Sequence, residues 1–124
     1  MSDITTVILA AGNSTRFKAS KSKLVYPLCG LPIVSHIFNT AKKISGKNIF
    51  IVSNEKNKEE LKLILNTSNL VVQKKQKGTA DAIEQVKKYV KSKNILILFG
   101  DTPLVEVKDI RKLVSKFKTS KAKA

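Results

Sequence analysis

Three stretches of the chain carry side chains able to do chemistry. The first follows a short β-branched run, Thr5-Thr6-Val7-Ile8-Leu9-Ala10, and continues as Ala11-Gly12-Asn13-Ser14. Gly12 lets a ligand approach the backbone closely. Asn13, Ser14 and Thr15 add short donors, Arg16 a planar cationic fork, and Lys18, Lys21 and Lys23 further positive charge. Amide donors and cations behind a strand suit a polyphosphate; the same composition also describes a solvated basic loop. The second stretch runs from Gln73 to Thr79, with Asp81 in the first turn of the helix that Gly78 opens, where a carboxylate suits the helix dipole. In the third, Asp101 follows the run Ile95–Phe99 and Gly100. A carboxylate there can share a magnesium ion with substrate phosphates, or serve as a turn residue ahead of Thr102-Pro103. His36 has no partner ligands in its helix and reads as structural; Cys29 reads as a packing residue.

Periodicity supplies the frame for these stretches. After Pro32, placed as a first helical residue, Ile33, Val34, Ile37, Phe38, Ala41 and Ile44 recur at helical spacing, and Gly46 suits the C-terminal cap. Asn48–Val52 reads as a strand, Glu59–Leu65 as a helix and Leu70–Val72 as a short strand. Ile83, Val86 and Val90 mark a helix. Ile95–Phe99 is apolar throughout, as in a strand buried on both faces, and Val107, Ile110, Val114 and Phe117 mark a last helix. Strand and helix alternate four times, which predicts an α/β fold: three layers, with a mostly parallel sheet and helices on both faces. Residues 1–118 form one domain and 119–124 a basic, disordered tail. Ligands of such sheets bind beyond the carboxyl ends of the strands, so the functional loops are Ala11–Lys23, Gln73–Thr79 and Gly100–Leu104.

Composition narrows the classes further. The chain has 124 residues, enough for one core, and 42% of them are hydrophobic, which argues against disorder. One cysteine excludes an internal disulfide framework and a cysteine-based zinc cluster. No transmembrane helix fits and no signal peptide opens the chain, so a soluble, cytoplasmic protein is expected, without a membrane partner. The net charge is +15, from 24 basic and 9 acidic residues. That balance raises a polyanion or nucleic acid as partner. Against it, only Arg16 and Arg111 are arginines, the lysines are dispersed, and no aromatics interleave with them. No specific nucleic acid is therefore expected. The P-loop, the dinucleotide G-x-G-x-x-G and the G-x-S-x-G elbow are all absent.

Three blocks together resemble a known family. Val7-Ile8-Leu9-Ala10-Ala11-Gly12-Asn13-Ser14-Thr15-Arg16-Phe17, followed by Lys23, resembles the signature loop of the sugar-phosphate nucleotidyltransferases, within the MobA-like NTP transferases. Gln73-Lys74-Lys75-Gln76-Lys77-Gly78-Thr79-Ala80-Asp81-Ala82 and Leu98-Phe99-Gly100-Asp101-Thr102-Pro103-Leu104 look like the base-reading and metal segments of one branch. That branch is the N-terminal uridylyltransferase half of the bifunctional N-acetylglucosamine-1-phosphate uridylyltransferases. The blocks keep the family's order and similar separations.

The resemblance implies a Rossmann-like nucleotide-diphospho-sugar transferase fold, of which this chain is the N-terminal half. Leu9, Ala10, Ala11 and Gly12 would contact a nucleotide through backbone groups. Arg16 and Lys23 would bind the triphosphate and stabilise charge at the reacting phosphorus, as the catalytic pair. Gln73, Gly78 and Thr79 would read the uracil edge, Phe99 and Gly100 would lie by the ribose, and Asp101 would hold Mg2+. The implied reaction joins a nucleoside triphosphate, UTP, to a sugar 1-phosphate with release of pyrophosphate, forming a nucleotide sugar of the UDP-N-acetylglucosamine kind. The sequence departs from the pattern at three places. Asn13-Ser14 stands where a glycine is usual, Ser22 where a proline commonly precedes the lysine, and Asp81 where the uridylyltransferase branch often has histidine. The residues that would hold the sugar lie beyond the matched blocks, so the acceptor is expected to bind only if a missing half is supplied. Three functions follow as expectations: such a nucleotidyltransferase; a catalytically incomplete nucleotide-binding fragment or half of a split enzyme, prone to self-association or to pairing with a partner chain; and a non-specific polyanion binder.

Overall fold

The computed structural model describes residues 3–11, 23–75, 78–102 and 104–120. Strand β1 (Ile4–Leu9) is buried along nearly its whole length, and its β-branched residues favour the extended chain. Its two hydroxyls are satisfied inside the core: Thr6 Oγ1 lies 2.6 Å from Ser45 Oγ, and Thr5 Oγ1 2.6 Å from Ser92 Oγ. A 3-10 turn (Lys23–Val25) and a hairpin of β2 (Pro27–Leu28) and β3 (Leu31–Pro32) lead into α1 (Ile33–Ser45). Then come β4 (Ile49–Ser53), α2 (Lys58–Leu65), β5 (Leu70–Val72), α3 (Thr79–Lys87), β6 (Asn94–Phe99) and α4 (Val107–Ser120).

The main sheet has the order β5-β4-β1-β6, and every pairing in it is parallel. The chain steps from β1 to β4 to β5 in one direction, then crosses back over the sheet to β6. Crossovers keep one hand, so a reversal of direction moves the connecting helix to the other face. Residues of α1, α2 and α4 share one core cluster with Ile8, Ile51, Leu96 and Leu98. Ala82 and Val86 of α3 pack on Val7 and Val52 from the opposite face. The expected three-layer α/β fold is therefore present. Ile8, Ile37, Ile44, Ile51 and Leu61 are fully buried, and each such side chain contributes roughly 1.5–3 kcal/mol. The core is thus centred on β1, β4 and the helices α1 and α2.

Four local expectations need correction. β6 is an edge strand: Leu96 and Leu98 are buried, but Ile95, Ile97 and Phe99 are 39%, 37% and 48% exposed. Their register partners are Thr5, Val7 and Leu9, which places them on the α3 face, where α3 packs chiefly on β1, β4 and β5 and leaves these three side chains partly open. Pro32 precedes the helix as its cap, with φ −54°, so Ile33 is the first helical residue; Gly46 caps the other end at φ 60°, as expected. Cys29 is exposed in the β2–β3 turn at φ 52°, followed by Gly30 at φ 83°, the paired positive angles of a type I′ hairpin. It is a turn residue and not a packing residue. Finally, α4 includes Thr119 and Ser120, with Thr119 Oγ1 donating to the Ser115 carbonyl at 3.1 Å. The expected tail is helical there, and residues 121–124 lie outside the described residues.

Candidate functional site

Strand order reverses between β1 and β6, and a crevice opens at such a point beyond the carboxyl ends of the strands. β1 ends there in Leu9, Ala10 and Ala11, and β6 in Phe99, Gly100 and Asp101. The Gly100 N–H donates to the Leu9 carbonyl at 3.0 Å, and the Ala10 N–H to the Val52 carbonyl at 2.8 Å. These bonds carry the ladder past the formal ends of the strands. A Cβ on Gly100 would lie 3.3 Å from the Leu9 carbonyl oxygen and 3.6 Å from the Ala10 Cβ. A side chain here would require the Leu9 backbone to shift by a few tenths of an ångström, so glycine suits the close approach of β1.

A pair of asparagines fixes the exit of β1, and the sequence reading missed both. Asn57 is 5% exposed, and its Nδ2 donates to the Ala10 carbonyl at 2.9 Å. Asn54 Nδ2 donates to the Ala11 carbonyl at 3.1 Å. The two also hold each other. The Asn54 N–H donates to Asn57 Oδ1 at 3.0 Å, and the Asn57 N–H to Asn54 Oδ1 at 2.8 Å. Two consecutive carbonyls at the mouth of the first loop are thereby fixed in direction. The available signal was the polar Asn-x-x-Asn directly after a buried strand, where side chains of this type bond to nearby backbone.

Gln73 lies at the end of β5, on the same edge of the sheet with β4 between it and β1. Its backbone N–H donates to the Ser53 carbonyl at 2.7 Å, and its side chain is 4% exposed. Gly78, at φ 93°, turns the chain into α3, where Thr79 is the first residue and exposed. Gln73 Nε2 donates to Asp81 Oδ2 at 2.8 Å and to the Gly78 carbonyl at 3.3 Å, joining the two ends of this loop. The structure thus brings Leu9, Ala10, Ala11 and Gly100 into one cluster, and Gln73, Gly78, Thr79 and Asp81 into a second on the same edge. Gly12, Arg16 and the side chain of Lys23 lie outside the described residues; the backbone of Lys23 opens the 3-10 turn.

Asp101 is exposed in a turn closed by the Thr102 N–H and Oγ1, which donate to the Phe99 carbonyl at 3.2 and 2.8 Å. Among the described residues no group of three or more His, Cys, Asp or Glu comes together. A lone exposed carboxylate fits a magnesium ion shared with substrate phosphates and waters, rather than one caged by protein. His36 Nε2 donates to the Leu28 carbonyl and ties α1 to the hairpin, the structural role expected of it.

Comparison with known proteins joins this geometry to a lineage. The model of the MobA-like NTP transferase domain matches residues 6–124. The chain belongs to that family. Among its relatives, the bifunctional protein GlmU of Buchnera aphidicola subsp. Schizaphis graminum is 42% identical over 120 residues, covering 95% of this chain and 26% of the relative. GlmU of Campylobacter fetus is 35% identical over 117 residues, covering 91% and 27%. The chain therefore spans about a quarter of the length of these relatives. The fold recurs in CMP:2-keto-3-deoxy-manno-octonic acid synthetase complexed with CTP, with TM-score 0.80, 18% identity, and 98% of this chain and 49% of that one covered. It recurs also in Rv0371c of Mycobacterium tuberculosis, with TM-score 0.79, 19% identity and coverage of 95% and 62%. The Rossmann-like nucleotidyltransferase fold is thus present in this chain. Among the described residues, no helix is long and apolar enough to cross a membrane.

Proposed function

We propose that the chain holds a nucleoside triphosphate, UTP by preference, with Mg2+ at the carboxyl edge of its sheet, and that it forms the nucleotide half of a cytoplasmic sugar-1-phosphate uridylyltransferase. The reading rests first on the switch-point cluster, where Gly100 packs against Leu9 and asparagines clamp the carbonyls of Ala10 and Ala11. Such a backbone floor would let a phosphate chain lie close to the strand ends. Gln73, Gly78 and Thr79 would meet the base, and Phe99 and Gly100 the ribose. Mg2+, when bound, would neutralise phosphate charge beside Asp101. Arg16 and Lys23 would hold the triphosphate and screen the charge that develops at the α-phosphorus. The acceptor's phosphate oxygen would form its bond to that phosphorus as the bond to pyrophosphate breaks, and pyrophosphate would leave. Both reactants are anionic, so positioning and cationic screening carry the chemistry.

A second reading concerns how the sugar phosphate is held. The open apolar face of Ile95, Ile97 and Phe99 on an edge strand favours a further segment or partner chain that covers β6 and completes the acceptor side.

Thermal melts with Mg2+ and each nucleotide test the proposal. UTP at about a hundredfold above its dissociation constant should add about 2.7 kcal/mol, and ATP, CTP and GTP less. Arg16→Ala and Lys23→Ala should abolish the gain. An unchanged melt with every nucleotide, or a gain equally produced by heparin and lost steeply with salt, would overturn it in favour of a polyanion binder.

A further inference from the structure

Asp81 has more to do than complement a helix dipole. We propose that Asp81 sets base preference by locking the Gln73 side chain with its oxygen, not its NH2, available to the base. The inference rests on the reading of Gln73 as a residue that meets the base.

The geometry decides which way the amide faces. Gln73 Nε2 lies 2.8 Å from Asp81 Oδ2 and 3.3 Å from the Gly78 carbonyl oxygen. A carboxylate and a carbonyl only accept, so the atom between them must be the donating nitrogen. Flipping the amide would set an oxygen against two oxygens. The side chain is 4% exposed, so water offers it little relief from that mismatch. Asp81 is itself braced by Gln85 Nε2 at 3.4 Å. Among the described residues nothing donates to Gln73 Oε1, which leaves an acceptor as the hydrogen-bonding atom that the side chain can offer a ligand.

That acceptor discriminates by elementary base chemistry. Uracil presents an N3–H donor. Cytosine presents a lone pair at N3 and adenine one at N1, and both would face the amide oxygen as repelling acceptors. Guanine has an N1–H, so size must reject it. Asparagine at position 81 can accept or donate. Only the longer bond to the Gly78 carbonyl would then still demand the nitrogen, so the flipped amide would become accessible and its NH2 would serve cytosine.

The test is the ratio of dissociation constants for UTP and CTP, both with Mg2+, in the unmutated chain, Asp81→Asn and Asp81→Glu. Asp81→Asn should lower the preference for UTP about tenfold, the effect of roughly one mismatched buried hydrogen bond. Asp81→Glu keeps an acceptor-only partner and should retain most of the preference. A role in folding alone would weaken all nucleotides alike and leave the ratio unmoved, which would overturn the inference while the proposed function stood. Failure of the unmutated chain to bind any nucleotide would overturn both. A second measurement needs no variant. The Gln73 side-chain NH2 protons should exchange slowly with solvent in the free protein, held by Asp81 and Gly78. Exchange as fast as that of an exposed glutamine would overturn the lock.

Discussion

Replacing Asn57 with alanine should loosen the floor of the site and cost the protein measurable stability. The side chain is almost wholly buried and makes two bonds, to the Ala10 carbonyl at 2.9 Å and from the Asn54 N–H at 3.0 Å. It stands at the N-cap of α2 but makes no side-chain capping bond, so the loss is not that of a helix cap. Truncation strands the Ala10 carbonyl in a buried place and deprives the half-buried Asn54 N–H of its acceptor. An unsatisfied buried group costs about 1–3 kcal/mol. With the carbonyl near the middle of that range and the N–H near its lower end, the sum is about 3 kcal/mol. For a chain of 124 residues that corresponds to a fall in Tm of about 10 °C. The Asn57 backbone carbonyl still accepts from the Leu61 N–H at 2.9 Å, so helix content should persist. Calorimetry with far-ultraviolet circular dichroism measures both quantities. A fall of less than about 4 °C, near 1 kcal/mol, would refute the claim that the clamp bears on the exit of β1.

Further outcomes follow from other contacts. Gly100→Ala puts a Cβ 3.3 Å from the Leu9 oxygen, which must move where β1 and β6 meet; nucleotide titration should show weaker binding with only a small loss of Tm. Ile97→Lys places a charge on an exposed apolar face, so sedimentation should show less self-association and melting little change. Asp3 pairs with Lys118 at 2.8 Å, and the hydrogen bond from Lys118 holds its carboxyl below the usual value. The contribution of that pair is present above the unfolded carboxyl's pKa and is lost as pH falls through the lowered folded one. The pH dependence of the melt should therefore flatten slightly on the acid side in Asp3→Asn. The groups are exposed, so the change should be small, and high salt should erase it.

Strong periodic patterns made most of the fold legible. The β-branched run of β1 and the 3.6-residue apolar spacing of α1 and α4 leave few alternatives, and strands alternating with helices imply a parallel sheet. β6 misled because Ile95-Leu96-Ile97-Leu98-Phe99 carries the composition of a strand covered twice, while α3 leaves one of its faces open. The β2–β3 hairpin was hidden because its strands have two residues each and its turn sets Cys29, not the usual asparagine or glycine, at positive φ. In the candidate site, the glycine at position 100 and the buried Gln73 could be marked from sequence. The Asn54–Asn57 clamp and the orientation of the Gln73 amide depend on contacts between segments, as between Ala10 and Asn57, that no local pattern contains. The roles expected of Gly12 and Arg16 fall outside the described residues.

Backbone amide shifts recorded as UTP is added with Mg2+ report where on the sheet a nucleotide binds. Saturable changes confined to residues 9–12, to Gln73, to Gly78 and Thr79, and to Gly100 and Asp101 are expected. Changes spread over the lysines of α4 and the other exposed faces, or none at the strand ends, would contradict binding at the carboxyl edge of the sheet.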